Sequence, residues 1–257
     1  MAHEEVIRIL PEADTAVLLM HGIAGTPDHF HKVLPLMQRI PENWSVYALR
    51  YPGHGGTADD FAHSSLKQWR EYAYKIYDSL AENHKKVILV GHSMGNLFAM
   101  QLGLAYPDKI PFIFMLAAPM RPWPRLFGMV NLLKLTFGKL DMSDPLQAST
   151  SMVCGLTTTK KLWKYVKWIP RMLELFGEIA RTEKVMGNLQ VPCVALQSRK
   201  DELVSNFSRG VLEKSGVVEI HELAQSTHFY YAPLDREIVF KEFEEKINAY
   251  LKGKADS

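Results

Sequence analysis

Residues 87–98 read VILVGHSMGNLF. A run of β-branched and aliphatic side chains stops at Gly91, Ser93 follows two residues later, and Gly95 two after that. A strand that turns abruptly into a helix holds one residue in a strained conformation, and small neighbours let the two backbones pass. Gly91 and Gly95 supply that clearance. Ser93 then stands at the tip, at the carboxyl end of the sheet, where open α/β sheets place ligands. It also stands at a helix N-terminus, whose free N–H groups favour negative charge. Average glycine and serine usage gives about 0.1 chance matches in a chain of this length, so the setting decides. Here an apolar strand precedes the motif and a helical pattern follows it, as a nucleophile turn requires.

The same rhythm runs through the chain. TAVLLM (15–20), SVYALR (45–50), KVILV (86–90), PFIFMLAA (111–118), VPCVALQ (191–197) and VVEIHEL (217–223) read as strands. Continuous apolar runs of this kind are buried on both faces, which predicts a mostly parallel sheet. Helical spacing predicts helices over Pro27–Arg39 behind a Thr26 cap, Leu66–Leu80, Leu97–Tyr106 and Leu234–Leu251. The alternation places helices on both faces of the sheet. Between Met120 and Asn188 no strand is predicted. RLFGMVNLLKLTFGKL and KLWKYVKWIPRMLELFGEIA look helical there, and residues 121–190 carry eleven Lys/Arg against five Asp/Glu. The expected organisation is a core of 1–119 and 189–257 with a helical insertion at 120–188. The insertion starts at the catalytic end of the sheet. Its apolar residues, Leu126, Phe127, Met129, Leu132 and Leu133, then Trp163, Val166, Trp168, Met172 and Leu175, partly pack on the core. The remainder are placed to line a pocket above Ser93.

Composition narrows the function. The chain has 257 residues, 47% hydrophobic and 23% charged, enough for a large core. A net charge of +2 is too mild for a nucleic-acid binder. No zinc-type cysteine or histidine motif is present. Cys154 and Cys193 form no spaced pattern, so both read as free thiols, with a single disulfide between them left open. The N-terminus lacks a signal-peptide core, and no apolar run reaches the roughly 18–20 residues of a membrane span. The expectation is a soluble cytoplasmic protein without a cofactor or stable membrane insertion, in an oligomeric state the sequence leaves open. The basic insertion leaves transient contact with a lipid surface open.

A serine hydroxyl needs a base, and the base needs an orienting group. His228, in AQSTHFYYAPLD just before the C-terminal helix, is the candidate base. Asp201, in ALQSRKDELVS past the strand at 191–197, is the candidate acid, and Glu202 next to it is the alternative. The order Ser, Asp, His is the one such a fold uses. An oxyanion needs donors: the backbone N–H of Met94, and that of Ile23 in the loop HGIAGTP after the first long strand. His92 is expected to pack away from the nucleophile. His21 and His54 read as structural, and His29, His31, His63, His84 and His221 as surface or packing residues.

LLMHGIAGTP, YPGHGGT, VILVGHSMGNLFAMQLGLAYPDKI, SRKDELV and STHFYYAPLD together resemble the α/β-hydrolase superfamily. Within it the chain is similar to the bacterial carboxylesterase and monoacylglycerol-lipase group, over residues 13–118 and 190–251. The resemblance implies an eight-stranded sheet, a helical cap, and cofactor-free hydrolysis of single-chain acyl esters. By motif it assigns Ser93 as nucleophile, Asp201 as acid, His228 as base, and Ile23 and Met94 as oxyanion donors. Two positions depart from the family pattern: Asn96 stands where many members have a second glycine, and Thr227 where a glycine commonly precedes the base. The same triad could serve a thioester, an amide or a carbon–carbon bond, and a binding protein on a hydrolase scaffold is the non-enzymatic alternative. A serine at the tip argues against dehalogenases, which use an aspartate.

Overall fold

The computed structural model describes residues 3–122, 134–157, 159 and 161–255. Among these residues seven strands form one sheet: β1 (Val6–Arg8), β2 (Thr15–Met20), β3 (Ser45–Ala48), β4 (Lys86–His92), β5 (Ile113–Leu116), β6 (Cys193–Ser198) and β7 (Val218–Leu223). Their order is β1-β3-β2-β4-β5-β6-β7, and every neighbouring pair is parallel except β1 with β3. The helices are α1 (Ala58–His63), α2 (Leu66–Asn83), α3 (Gly95–Ala105), α4 (Pro145–Val153), α5 (Ile169–Val185), α6 (Ser208–Glu213) and α7 (Pro233–Ala255).

The apolar runs explain the layers. Successive strand residues point to opposite faces. Ala16, Leu18 and Met20 of β2 enter the core on the side of α2 and α3, with Val87, Leu89, Ile113, Met115 and Ala195. Val17 and Leu19 enter the opposite core, with Ile88, Val90, Phe114, Leu116 and Val194, beneath Val239, Phe240 and Phe243 of α7. All six residues of β2, all four of β5 and all six of β6 are buried. A strand covered on both faces has no polar side, so the runs do not alternate.

Three expectations are corrected. The resemblance implies eight strands where the described residues form seven. The segment before β2 supplies one short edge strand, with Val6 opposite Ala48, and the chain then turns at Pro11, which has no N–H for a ladder. The helix expected over Pro27–Arg39 is two single turns, His29–Val33 and Leu36–Arg39. Pro35 between them lacks a donor and holds Leu34 in extended backbone (φ −127°, ψ 91°). Thr26 does not cap it: Asp28 occupies that position without a side-chain cap, and the Thr26 hydroxyl is buried without a partner. β1, α1 and α6 are too short to show a period in the sequence.

Between β5 and β6 the described elements are helical, as expected: α4, a 3₁₀ turn at Leu162–Trp168, α5 and a 3₁₀ turn at Met186–Asn188. Residues 123–133 of the expected helical stretch, including Leu126, Phe127, Met129, Leu132 and Leu133, lie outside the described residues. Polar contacts tie α5 down. Arg70 of α2 and Gln101 of α3 both bind the buried Glu178 carboxylate. Glu174 accepts the N–H of Leu66 at 2.9 Å, and Trp168 donates to the Ala58 carbonyl at 3.0 Å. Trp168 and Met172 pack on the core and Leu175 is buried, while Trp163 and Val166, expected among the core or pocket residues, face solvent.

The tightest approach to main-chain atoms lies where β4 becomes α3. A Cβ on Gly95 would sit 2.0 Å from the Met20 carbonyl oxygen, and one on Gly91 would sit 2.8 Å from the Asn96 backbone nitrogen. Main-chain atoms of a central strand cannot give way. Gly95→Ala is therefore expected to cost about 3 kcal/mol or more. In a chain this long that lowers the melting temperature by roughly 6–10 °C. Thermal unfolding followed by circular dichroism checks it, and an unchanged midpoint would refute the close packing.

Candidate active site

Parallel strands end together, so the loops after β2, β4, β5 and β6 meet at one edge of the sheet. Among the described residues three non-glycine residues have positive φ: Ala24 (56°), Ser93 (51°) and Ala117 (50°). They follow β2, β4 and β5 in turn, so the backbone strain collects at that edge. Ser93 is the tip of the turn predicted from sequence. Its N–H is donated to the Leu116 carbonyl at 2.9 Å and its own carbonyl accepts from Asn96 at 3.0 Å. Asn96, the departure from the family pattern, fits by donating its side-chain amide to the same Leu116 carbonyl at 2.8 Å.

The loop after β2 crosses directly beside Ser93, because a Cβ on Gly22 would lie 2.8 Å from the serine Cβ. His21 Nδ1 lies 2.7 Å from the Gly22 carbonyl. A carbonyl only accepts, so the ring donates there. That bond fixes the peptide plane whose N–H belongs to Ile23. Met94, whose N–H was the other expected donor, stands at the N-cap of α3.

Asp201 follows β6. One carboxylate oxygen accepts the N–H groups of Leu203 (2.8 Å) and Val204 (2.7 Å), and the other lies 2.8 Å from His228 Nδ1. An ionised carboxylate accepts only, so Nδ1 carries the proton and Nε2 presents a lone pair. Glu202 faces elsewhere: its Oε2 accepts the backbone N–H of His228 at 2.8 Å. Thr227, the second departure, closes the turn that contains His228. Its hydroxyl accepts from Tyr230 at 3.3 Å, and its N–H donates to the Tyr230 carbonyl at 2.9 Å.

A family model described as serine aminopeptidase, S33 (Hydrolase_4) matches residues 11–230. The chain belongs to this family of α/β-hydrolases. A carboxylesterase of Bacillus subtilis is 24% identical over 246 residues, 91% of this chain and 94% of that one. Two other curated relatives match over 104 residues each, 37% and 36% of their own lengths. A metagenome-derived lipolytic enzyme superposes with a TM-score of 0.71 at 19% identity, covering 95% of this chain and 98% of that one. A monoacylglycerol lipase of Paleococcus ferrophilus does so with 0.64 at 19% identity, covering the same shares. The class of hydrolase to which this chain is similar thus includes carboxylesterases and a monoacylglycerol lipase.

Around the site of this S33-family hydrolase lies a histidine cluster that the sequence reading missed. His29, read as surface or packing, is fully buried and stacks on His92 with ring centroids 3.8 Å apart. His92 in turn lies 4.8 Å from the His228 ring, and its Nε2 is 3.0 Å from the His228 carbonyl oxygen. His21 and His54 pack at steep angles to each other and to Tyr51 on the other side, as structural residues. Burial holds all four neutral: His29 and His54 fall to about 3, and His21 and His92 lie well below the usual imidazole range. His228 is the exception. Burial pulls its pKa down, but the charge and hydrogen bond of Asp201, with the charge of Glu202, outweigh that and raise it above 6.5. His228 is thus the imidazole of this group whose charged form its carboxylate neighbours favour. A signal for His92 was present in sequence. Alternation along β4 puts it on the face of Ile88 and Val90, which is the face of α7 and of the loop holding His228.

Of the remaining histidines, His84 is buried against the Leu80 carbonyl and the Ser45 hydroxyl. His31 and His63 are exposed. His221 sits with Glu219 and Glu242 in the one cluster among the described residues that gathers three potential cation ligands, within 4.8 Å. Lys246 already neutralises Glu219 there at 2.6 Å. Cys154 and Cys193 are both free thiols. No helix among the described residues is long and apolar enough to cross a membrane.

Proposed function

We propose that this chain is a serine hydrolase that cleaves carboxylic esters of single acyl chains, such as monoacylglycerols, through an acyl-enzyme. The observation that carries the reading is the buried His228–Asp201 pair at 2.8 Å, on the edge of the sheet where the strained Ser93 stands. In the first half-reaction His228 Nε2 takes the Ser93 proton as Oγ bonds to the ester carbonyl carbon. The oxyanion is held by the N–H groups of Ile23 and Met94. The imidazolium then gives its proton to the leaving alcohol as the C–O bond breaks. Water, deprotonated by the same nitrogen, releases the acid and restores Ser93.

The insertion at 120–188 is the cap of this reading. Gly155 donates to the Ala24 carbonyl at 3.0 Å, so the insertion rests on the oxyanion loop. On its outer side Trp163, Val166, Ile169, Leu173 and Phe176 recur at helical spacing, each at least half exposed, with Lys167 and Arg181 also projecting into solvent. This apolar, basic face is suited to transient contact with the lipid aggregates that would hold such substrates.

The test is kcat/KM across p-nitrophenyl esters from acetyl to palmitoyl, with monoolein, triolein emulsion and an alanyl p-nitroanilide alongside. Each buried methylene contributes about 0.8 kcal/mol at most, so efficiency is expected to rise by up to roughly fourfold per carbon until the pocket fills. A steep preference for acetyl esters refutes the acyl reading, and fast triolein cleavage refutes the single-chain one. The anilide arm addresses the peptidase activity in the family's description: hydrolysis faster than that of any ester would move the proposal to amides.

The raised pKa of His228 sets the pH dependence. The base works only when neutral, so activity is lost as pH falls through a value above the ordinary 6.5. The acid limb of log kcat/KM is expected to bend above pH 6.5. A limb bending near pH 5 would contradict a base held between two carboxylates.

A further inference from the structure

We propose that His92 and Glu202, the chain neighbours of Ser93 and Asp201, act together as positioning residues that hold the main chain of His228. The inference rests on the triad reading above and adds two members to its support.

His228 lies in a loop, where main-chain polar groups ordinarily bond to water or to other main chain. Here both go to buried side chains. Glu202 accepts the N–H at 2.8 Å, and His92 Nε2 meets the carbonyl at 3.0 Å. Both side chains are buried, His92 at 1% and Glu202 at 4% exposure. Burying a carboxylate is costly unless its bonds are made, so this is an expensive way to anchor a loop.

The geometry gives the reason. A single bond from Asp201 fixes one ring atom, Nδ1, and leaves the imidazole free to swing about it. Fixing the residue at N, O and Nδ1 together fixes Nε2, the atom that exchanges protons with Ser93. Such sites tolerate only about 0.5 Å or 10–20° of error. His92 is itself held: it must carry its proton on Nε2 to donate to a carbonyl, and its ring is stacked on His29. The Tyr231 hydroxyl lies 3.3 Å from His29 Nε2. Because His92 precedes the nucleophile and Glu202 follows the acid, any shift of either loop is carried to the base.

Four variants test this, each in the full-length protein. His92→Phe keeps a stacking ring and removes the donor, while His92→Gln returns an amide donor at similar reach. Glu202→Leu removes the acceptor, and Glu202→Gln keeps one. Active sites are titrated to completion with a fluorophosphonate, and p-nitrophenyl butyrate turnover is expressed per titrated site. His92→Phe and Glu202→Leu are expected to lower kcat by about 10–100-fold with KM within about threefold, since a misplacement near 1 Å costs about that much. The two glutamine variants are expected to recover most of the loss. A role in folding alone lowers the titrated fraction and the melting temperature but leaves kcat per site at the wild-type value, and that result overturns the proposal. If one of the disruptive variants does not fold, the other arm decides on the same criterion. Probe labelling that persists in Ser93→Ala would instead sink the triad reading, which separates the two failures.

Discussion

Ser93→Ala is expected to lower kcat for ester hydrolysis by about six orders of magnitude while the protein folds normally. The magnitude follows from the way a nucleophile and its base act as a unit: removing either leaves only what the oxyanion donors and binding supply. His228→Ala is expected to fall nearly as far. Folding survives because the substitution deletes one hydroxyl and keeps the backbone demand. Ser93 holds φ at 51°, and alanine already occupies that region twice at the same sheet edge, at Ala24 (56°) and Ala117 (50°). The measurements are turnover, fluorophosphonate labelling and the thermal midpoint. A variant that keeps a tenth of wild-type turnover places the nucleophile elsewhere.

Asp201→Asn is expected to lower kcat by about 10⁴. Asparagine can still accept from Leu203 and Val204 through its carbonyl, so the loop stays in place. Its amide then faces His228 Nδ1 with a donor where an acceptor stood. The ring answers by moving its proton to Nε2, and the atom that should accept from Ser93 becomes a donor. Glu202→Gln preserves an acceptor for the His228 N–H and is expected to stay within about fivefold of wild type. Steady-state kinetics on the two variants decides between the carboxylates. A severe Glu202→Gln beside a mild Asp201→Asn would exchange their roles.

The candidate acid illustrates where the sequence stops being legible. Asp201 and Glu202 are adjacent, and either could follow β6 as an orienting group. The choice depends on where a loop 27 residues further on places its ring, and only the folded chain supplies that. The helix at 27–39 failed for a different reason. Its apolar spacing is helical, but Pro35 was in plain view, and its missing N–H and its constraint on Leu34 outweigh the periodicity. The edge strand Val6–Arg8 is three residues long, and a period-2 pattern has no room to appear.

By itself the sequence determined the parallel sheet and the turn at Gly91–Gly95, and it nominated Ser93, Asp201 and His228 in that order as candidates. These rest on local chemistry: apolar runs that need cover on both faces, glycines that alone fit against a neighbouring backbone, and turn residues at strand ends. Tertiary structure decided what touches His228. The bond from His92 to the His228 carbonyl joins residues 136 apart, and the stack of His92 on His29 joins the end of β4 to the turn at His29–Val33. It also decided that α5 docks on the core through the buried Glu178 rather than through apolar faces alone. A local pattern records which side of a strand a residue faces. The partner it meets there depends on the packing of every layer above it.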